Sequence, residues 1–241
     1  MWRSALAVTV AHAHALALAL ALALALALAL ALALAHDAEL ADGELEMFFF
    51  LLTVAGNDTV RSAAPGGLLA LAEHPGAYRL LRTGEAGADG AVEESLRWHP
   101  PVLTFRRTAA RNTELGGRHI TKGDKVVVLH ASANRDERAF AEPDRLDLTR
   151  ARNPHVSFGD GPHVCLGAHF ARLQLRTLYA QAPPVLTPAG PAGRLVSNFI
   201  NGLKSLPVHL GWPGSGHGCR PCASAPRRPR PGPPRCRRRA R

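Results

Sequence analysis

An unbroken alternation of alanine and leucine from Ala15 to Ala35 limits, more than any other feature, what this chain can fold into. A period of two usually indicates a strand, but both residues here are apolar and both are strong helix formers. The pattern therefore predicts a helix, and its 21 residues are long enough to span a bilayer. A low-complexity repeat without selected structure is the alternative, because membrane helices normally mix several apolar residue types. We treat residues 1–44 as one low-complexity zone.

A second biased zone, residues 211–241, is rich in proline, glycine and arginine and is predicted to be disordered. The formal net charge of the chain is +10, and nine arginines without any acid lie between Pro213 and Arg241. Subtracting nine from +10 leaves +1 for everything before this stretch. The intervening residues 45–210 are nearly neutral, which argues against a specific nucleic-acid partner.

Cysteine usage indicates a reducing compartment. Three of the four cysteines lie in the arginine-rich tail, so residues 45–210 contain only Cys165 and cannot build a disulfide framework. A cytoplasmic location follows as the first prediction, with membrane association through residues 15–35 as the alternative. A single cysteine in such a body is either a small buried apolar residue or a reactive ligand.

Residues 45–210 have the pattern of an ordinary globular domain. Apolar residues from Met47 to Leu71 predict one long, mostly buried helix with a polar interruption, followed by a loop at residues 74–76. A second helix is expected from Ala91 to His99, where two prolines stop it, and a third from Leu166 to Ala180. Between residues 102 and 136, short apolar runs alternate with glycine-containing turns, a pattern typical of small strands.

The most informative segment runs from Phe158 to Gly167 and reads F-G-D-G-P-H-V-C-L-G. Its cysteine stands just before a predicted helix, whose positive end favours a thiolate. Its glycines remove Cβ atoms where a flat macrocycle would need the backbone close. Phe158 offers an apolar wall, and His163 can donate a hydrogen bond to an anionic group.

This combination of residues resembles the haem-thiolate loop of the cytochrome P450 family. The resemblance implies haem as the cofactor and Cys165 as the ligand of its iron. The other cofactor-binding positions that it implies within the segment are Phe158, Gly159, His163 and Gly167. It also implies a mainly α fold with small β-sheets, of which residues 45–210 carry the C-terminal portion, preceded by the Ala-Leu helix.

Three further segments follow the order that this family has. Phe105-Arg106-Arg107-Thr108-Ala109 resembles the strand that supplies an arginine to a haem propionate, which is Arg107 by motif alignment; a solvated strand arginine is the alternative. Glu94 and Arg97 match the family's E-x-x-R, although such a pair is also an ordinary salt bridge on a helix surface. The resemblance implies that Arg145 joins them, with a structural role for all three.

Ala55-Gly56-Asn57-Asp58-Thr59 resembles the oxygen-activation segment of the family's long central helix. Asp58 and Thr59 would then be the catalytic residues, because an acid beside a hydroxyl can pass protons into an apolar pocket. The small residues before them would leave room for dioxygen and for a local opening of the helix. The alternative is an exposed N-terminal cap at Asn57 or Asp58.

The activity that the resemblance implies is hydroxylation of an apolar small molecule by dioxygen, with electrons from an external ferredoxin or reductase. The wording of residues 52–59 and 197–202 is closest to actinobacterial members that oxidise sterols or methyl-branched lipids.

Several departures from the family pattern favour a truncated or frame-altered product. The Ala-Leu repeat stands where the family has its N-terminal half, and Pro65-Gly66 is expected to break a helix that the family continues. Glycines between residues 77 and 91 replace a helical connection. The competing hypothesis is therefore a non-catalytic fragment, membrane-tethered or aggregating, without a closed active site.

Overall fold

The computed structural model describes residues 42–211, which are mainly helical with four small sheets. The predicted Ala-Leu helix and most of the predicted tail lie outside these residues. The helices are α1 (Asp42–Glu73), α2 (Pro75–Thr83), α3 (Ala88–Trp98), α4 (His130–Ala133) and α5 (Ala168–Ala180). None of the helices between residues 42 and 211 is long and apolar enough to cross a membrane.

The strands form four separate antiparallel pairs, β1–β4, β2–β3, β5–β8 and β6–β7. Their bounds are Thr104–Thr108, Thr113–Leu115, Arg118–Ile120, Lys125–Leu129, Val185–Pro188, Gly193–Arg194, Leu203–Ser205 and Val208–Gly211 for β1 to β8. The strands predicted between residues 102 and 136 are confirmed as β1 to β4. Strands β5 to β8 and the short helix α4 have no counterpart in the sequence-based prediction.

The core lies where the second half of α1 packs against α3 and α5. Leu71, Leu96, Leu175 and Tyr179 are almost completely buried there. Helix α3 ends at Trp98, two residues before Pro100, because proline disfavours a helical residue before it and cannot donate a backbone hydrogen bond. Helix α2 begins with Pro75 and ends at Thr83. The residue that caps its C-terminus is Gly84, whose φ of 77° lies in the left-handed region that glycine tolerates.

Two sequence-based expectations about α1 are wrong. The expected break at Pro65-Gly66 does not occur, because the helix continues to Glu73 with the proline inside it. Glycine is needed there for packing instead. A Cβ on Gly66 would overlap the His99 ring, and one on Gly67 would overlap the Tyr179 hydroxyl. The expected loop at residues 74–76 is reduced to His74, after which α2 starts immediately.

Helix α1 is also not mostly buried. Its second half forms part of the core, but Met47, Phe50, Leu51 and Val54 in its first half are exposed. Further large apolar side chains are exposed on β4 and beside the cysteine, namely Val127, Val128, Leu129, Val164 and Leu166. These segments share exposed apolar side chains, and we refer to the first half of α1, strands β1 and β4 and the cysteine loop collectively as the open face.

Candidate functional site

The cysteine loop, residues 158–167, places Cys165 between a 3-10 turn at Gly161–His163 and the start of α5. The backbone N–H of Cys165 donates to the Phe158 carbonyl over 2.9 Å, and the N–H of Ala168 donates to the Cys165 carbonyl over 3.2 Å. The cysteine itself is exposed and unbridged. The structure thus excludes the interpretation of Cys165 as a buried apolar residue.

The glycines of this loop serve different purposes. Gly159 and Gly161 have φ values of 74° and 70°, which other residues adopt only with strain. Gly167 has a φ of −84°, and a Cβ built on it would lie 3.9 Å from the Cys165 sulfur, an ordinary contact. Nothing within the described part of the protein therefore requires glycine at position 167. A flat group seated against the sulfur would supply such a requirement.

Phe158, the predicted apolar wall, packs partly against the core of the protein. Its ring is partly buried behind the loop, where the Arg172 guanidinium lies 4.5 Å from its centroid and the His155 ring 5.9 Å away. Its carbonyl holds the Cys165 amide. His163, by contrast, is exposed in the 3-10 turn, as an anion donor would need to be.

Arg107 lies on β1, opposite Val126 of β4, and is exposed. Its guanidinium donates to the Arg106 carbonyl over 3.1 Å and lies 5.6 Å from the Phe105 ring centroid. Among the described residues it is part of no ion pair that would neutralise it. An exposed cation of this kind fits the predicted propionate contact but does not by itself distinguish it from a solvated arginine.

Glu94 and Arg97 form a completely buried ion pair on α3, with a 2.7 Å contact between Nη2 of the arginine and Oε1 of the acid. All five N–H groups of the guanidinium have acceptors: the two carboxylate oxygens of Glu94 and the carbonyls of Asn134, Pro143 and Arg145. A buried charge is tolerated only when it is paired and hydrogen-bonded in this way. The alternative of a surface salt bridge is wrong.

The prediction that the Arg145 side chain joins this pair is also wrong. That side chain is 62% exposed and pairs with Glu142, while only its backbone carbonyl accepts a bond from Arg97. The third charge is Arg150, whose Nε lies 3.3 Å from Glu94 and whose side chain is 10% exposed. Arg145 and Arg150 belong to the same irregular segment, and the sequence motif does not show which of the two side chains reaches Glu94.

Asp58 and Thr59 lie inside α1, so neither they nor Asn57 cap a helix. The Thr59 hydroxyl donates to the Ala55 carbonyl over 2.7 Å, within a continuous helix that shows no local opening. Asp58 is exposed. No hydrogen bond among residues 42–211 links Asp58, Thr59 or Arg107 to the cysteine loop.

The sequence analysis did not identify three residues near the cysteine loop, namely Glu93, His155 and Arg172. Glu93 receives two hydrogen bonds from Arg172, of 2.6 and 2.9 Å, and lies 3.1 Å from a ring nitrogen of His155. Burial alone would raise the pKa of Glu93, but the bonds from Arg172 and His155 lower it to about 2. Glu93 directly precedes Glu94 of the E-x-x-R motif in the sequence and belongs to no motif itself.

A haem fits the donors that this structure offers. The exposed thiol of Cys165 stands at a helix N-terminus between exposed apolar side chains at positions 164 and 166. Haem would cover this apolar surface, and its propionates would need a cation such as Arg107. A cleft of about 210 Å³ elsewhere, lined by Gly66, Trp98, His99 and Arg135 among others, contains none of the predicted site residues.

Comparison with known proteins identifies the same family. The cytochrome P450 family model matches residues 88–182. The chain is 42% identical to a steroid C26-monooxygenase of Rhodococcus jostii, over 70% of this chain and 36% of that protein. It is 45% identical to a methyl-branched lipid omega-hydroxylase of Mycobacterium bovis, over 70% of this chain and 41% of the relative.

Solved structures agree. Cytochrome P450 CYP268A2 of Mycobacterium marinum, in complex with pseudoionone, is 47% identical with a TM-score of 0.66, over 71% of this chain and 42% of the other. The cytochrome P450 PksS of Bacillus subtilis is 35% identical with a TM-score of 0.68, over 73% and 47%. The chain spans only 36% and 41% of the length of the two curated relatives. Over the part that they match, this chain is similar in sequence and in fold to the cytochrome P450 family, whose members bind haem.

Proposed function

We propose that this chain binds haem through the thiolate of Cys165 and serves in the hydroxylation of an apolar small molecule of the steroid or branched-lipid class. The observation that carries the proposal is the exposed thiol at the start of α5, in a loop where nothing among residues 42–211 explains the glycine at position 167. The printed activities of the two relatives, on steroids and on methyl-branched lipids, support the substrate class.

The overall reaction would convert a C–H bond, dioxygen, two electrons and two protons into a C–OH bond and water. When bound, the haem would supply the redox chemistry, and its thiolate ligand would favour cleavage of the O–O bond. The electrons would come from an external ferredoxin or reductase. The cytoplasmic location and the electron donor remain predictions.

The residues of this chain would hold the cofactor and move protons. Cys165 would give its sulfur to the iron, with the adjacent helix end favouring the thiolate form. Arg107 and His163 would donate hydrogen bonds to the propionates. Thr59 would release its bond to the Ala55 carbonyl and turn its hydroxyl toward the oxygen site, and Asp58 would replace the proton that it gives.

A second candidate is a non-catalytic fragment without a closed active site, tethered to membranes or aggregating. The exposure of Phe50, Leu51 and Val54 on α1 favours this second candidate, because soluble monomeric proteins rarely expose large contiguous apolar patches. In the relatives, more than half of the length lies outside the match. The two candidates differ in whether purified chain contains haem.

The test is expression of the full chain with a haem precursor, followed by measurement of haem stoichiometry and of the carbon monoxide difference spectrum. We expect close to one haem per chain and a thiolate-type band that Cys165→Ser removes. Thr59→Ala is the matched variant for oxygen activation, which should keep that band but lose most substrate turnover. Absence of pigment from the unaltered chain, together with its resistance to carbonate extraction from membranes, would favour the fragment.

A further inference from the structure

Behind the cysteine loop, three charged or titratable side chains from separate parts of the chain meet. Glu93 of α3 accepts both hydrogen bonds of the Arg172 guanidinium, which belongs to α5. His155, whose side chain is only 2% exposed, approaches the same carboxylate to 3.1 Å. The carboxylate is thus fixed from two sides, and it connects the helix that follows the cysteine to the helix that carries the E-x-x-R pair.

This cluster is in contact with the loop through Phe158. The Arg172 guanidinium lies 4.5 Å from the Phe158 ring centroid, and the carbonyl of the same phenylalanine accepts the Cys165 amide. The pKa of Arg172 is raised, chiefly by its hydrogen bond to Glu93 and, as the smallest of its causes, by the charge of Cys165. The chain of contacts Glu93–Arg172–Phe158–Cys165 therefore joins a carboxylate to the predicted ligand of the iron.

A second ion pair joins the same two helices one turn away and offers an internal comparison. Asp89 of α3 and Arg176 of α5 are 2.5 Å apart, but their side chains are 74% and 47% exposed. Exposed pairs of this kind contribute little to stability. The Asp89–Arg176 pair therefore serves as a control for the loss of an ion pair between these two helices that does not contact Phe158.

We propose that Glu93 and Arg172 are positioning residues, which hold Phe158 and thereby the Cys165 loop, and whose charges tune the electron donation of the sulfur. The tuning of the sulfur rests on the proposed function, because it requires bound haem. The positioning of the loop does not, because its contacts lie within the protein. Outer partners of metal ligands typically change metal affinity by 10-fold to 100-fold.

The positioning is tested on the chain without haem by amide hydrogen exchange at Cys165. Glu93→Gln and Arg172→Gln should each make this amide exchange several-fold faster, because its acceptor on Phe158 loses support. Asp89→Asn is the matched control and should leave the rate unchanged. Arg172→Lys should restore protection only in part, since lysine lacks the second hydrogen bond. Exchange at Cys165 that is equal in all four variants and the unaltered chain would overturn the positioning.

The tuning is tested on the haem-bound chain by its reduction potential. Reduction adds an electron, so a nearby positive charge raises the potential and a nearby negative charge lowers it. Arg172→Gln should therefore lower the potential and Glu93→Gln should raise it, while both weaken haem affinity by roughly 10-fold. Shifts in the same direction for both variants would overturn the tuning. A chain that binds no haem contradicts the proposed function and the tuning, whereas the exchange experiment still decides the positioning.

Discussion

The two halves of α1 differ in how much of their apolar surface is buried within the described part of the chain. Residues of the second half, such as Ala70 and Leu71, are buried in the core with α3 and α5, so their apolar surface has partners within the chain. Residues of the first half, such as Phe50 and Leu51, are more than half exposed although they are equally apolar. One helix thus belongs to a packed region at one end and to the open face at the other.

The charges repeat this contrast. In the packed region, the five donors of Arg97 all have acceptors, and Glu94 also receives the amide of Asp147 and the side chains of Arg150 and Asn153. On the open face, the acceptor that the described residues offer to Arg107 is the neighbouring Arg106 carbonyl. The packed region pairs its buried charges by itself, whereas the open face has the groups that a ligand would use.

The strongest test of this comparison removes one partner from the packed region. Arg97→Met should lower the free energy of unfolding by about 3–5 kcal/mol, because the Glu94 carboxylate then keeps its burial without its main counter-charge. Urea denaturation measures the change. Arg145→Met is the matched control and should cost well under 1 kcal/mol, since that side chain is exposed. Equal losses for the two variants would restore Arg145 to the network.

Most of the helices, and the position of Cys165 just before the last of them, could be predicted from sequence, because periodicity, prolines and the cysteine motif act over short distances. The E-x-x-R pair was recognisable for the same reason, since its spacing of three places both side chains on one face of α3. The identity of the third arginine depends on the path of an irregular segment and could not be predicted.

The absence of a break at Pro65-Gly66 and the position of the Phe158 ring both depend on tertiary contacts. Local preference predicts a break at a proline and glycine, but close packing of α1 on His99 and Tyr179 outweighs that preference. The position of the Phe158 ring depends on Arg172, which is separated from it in sequence by the whole cysteine motif. Tertiary contacts decide such features, and a single sequence does not contain them in readable form.

A glycine substitution in the packed half of α1 should have the next largest effect. Gly67→Ala places a methyl group where the Tyr179 hydroxyl and the Ser95 side chain now lie. We expect a loss of about 1–3 kcal/mol, typical of overpacking in a core, despite the better helix propensity of alanine. Thermal or urea unfolding measures it, and Tyr179→Phe in the same background should recover part of the loss. An unchanged stability would show that the packed region is looser than the structure indicates.

The contribution of Glu93 to the stability of the fold should depend on pH. Its pKa is lowered to about 2, so the stability that it contributes is present above the unfolded value near 4.5 and is lost as the pH falls from there toward 2. At pH 6 we expect the free energy of unfolding of the unaltered chain to be about 1–2 kcal/mol higher than that of Glu93→Gln. The difference is no larger because the carboxylate is partly exposed. The difference should shrink toward pH 2.5. A difference that is independent of pH contradicts the ion pair with Arg172.

The smallest effect, and the one of opposite sign, is expected on the open half of α1. A Cβ on Gly56 would meet no atom of the described residues within 4 Å, so Gly56→Ala should stabilise the helix by about 0.5–1 kcal/mol. Yet Gly56 belongs to the segment that we propose to serve oxygen activation, where a methyl group would occupy space that the reaction needs. We therefore expect higher stability in urea together with slower substrate turnover in the haem-bound chain. A stabilised variant with unchanged turnover would mean that this part of the open face does not border the oxygen site, and a destabilised one would mean that the face is covered by protein in solution.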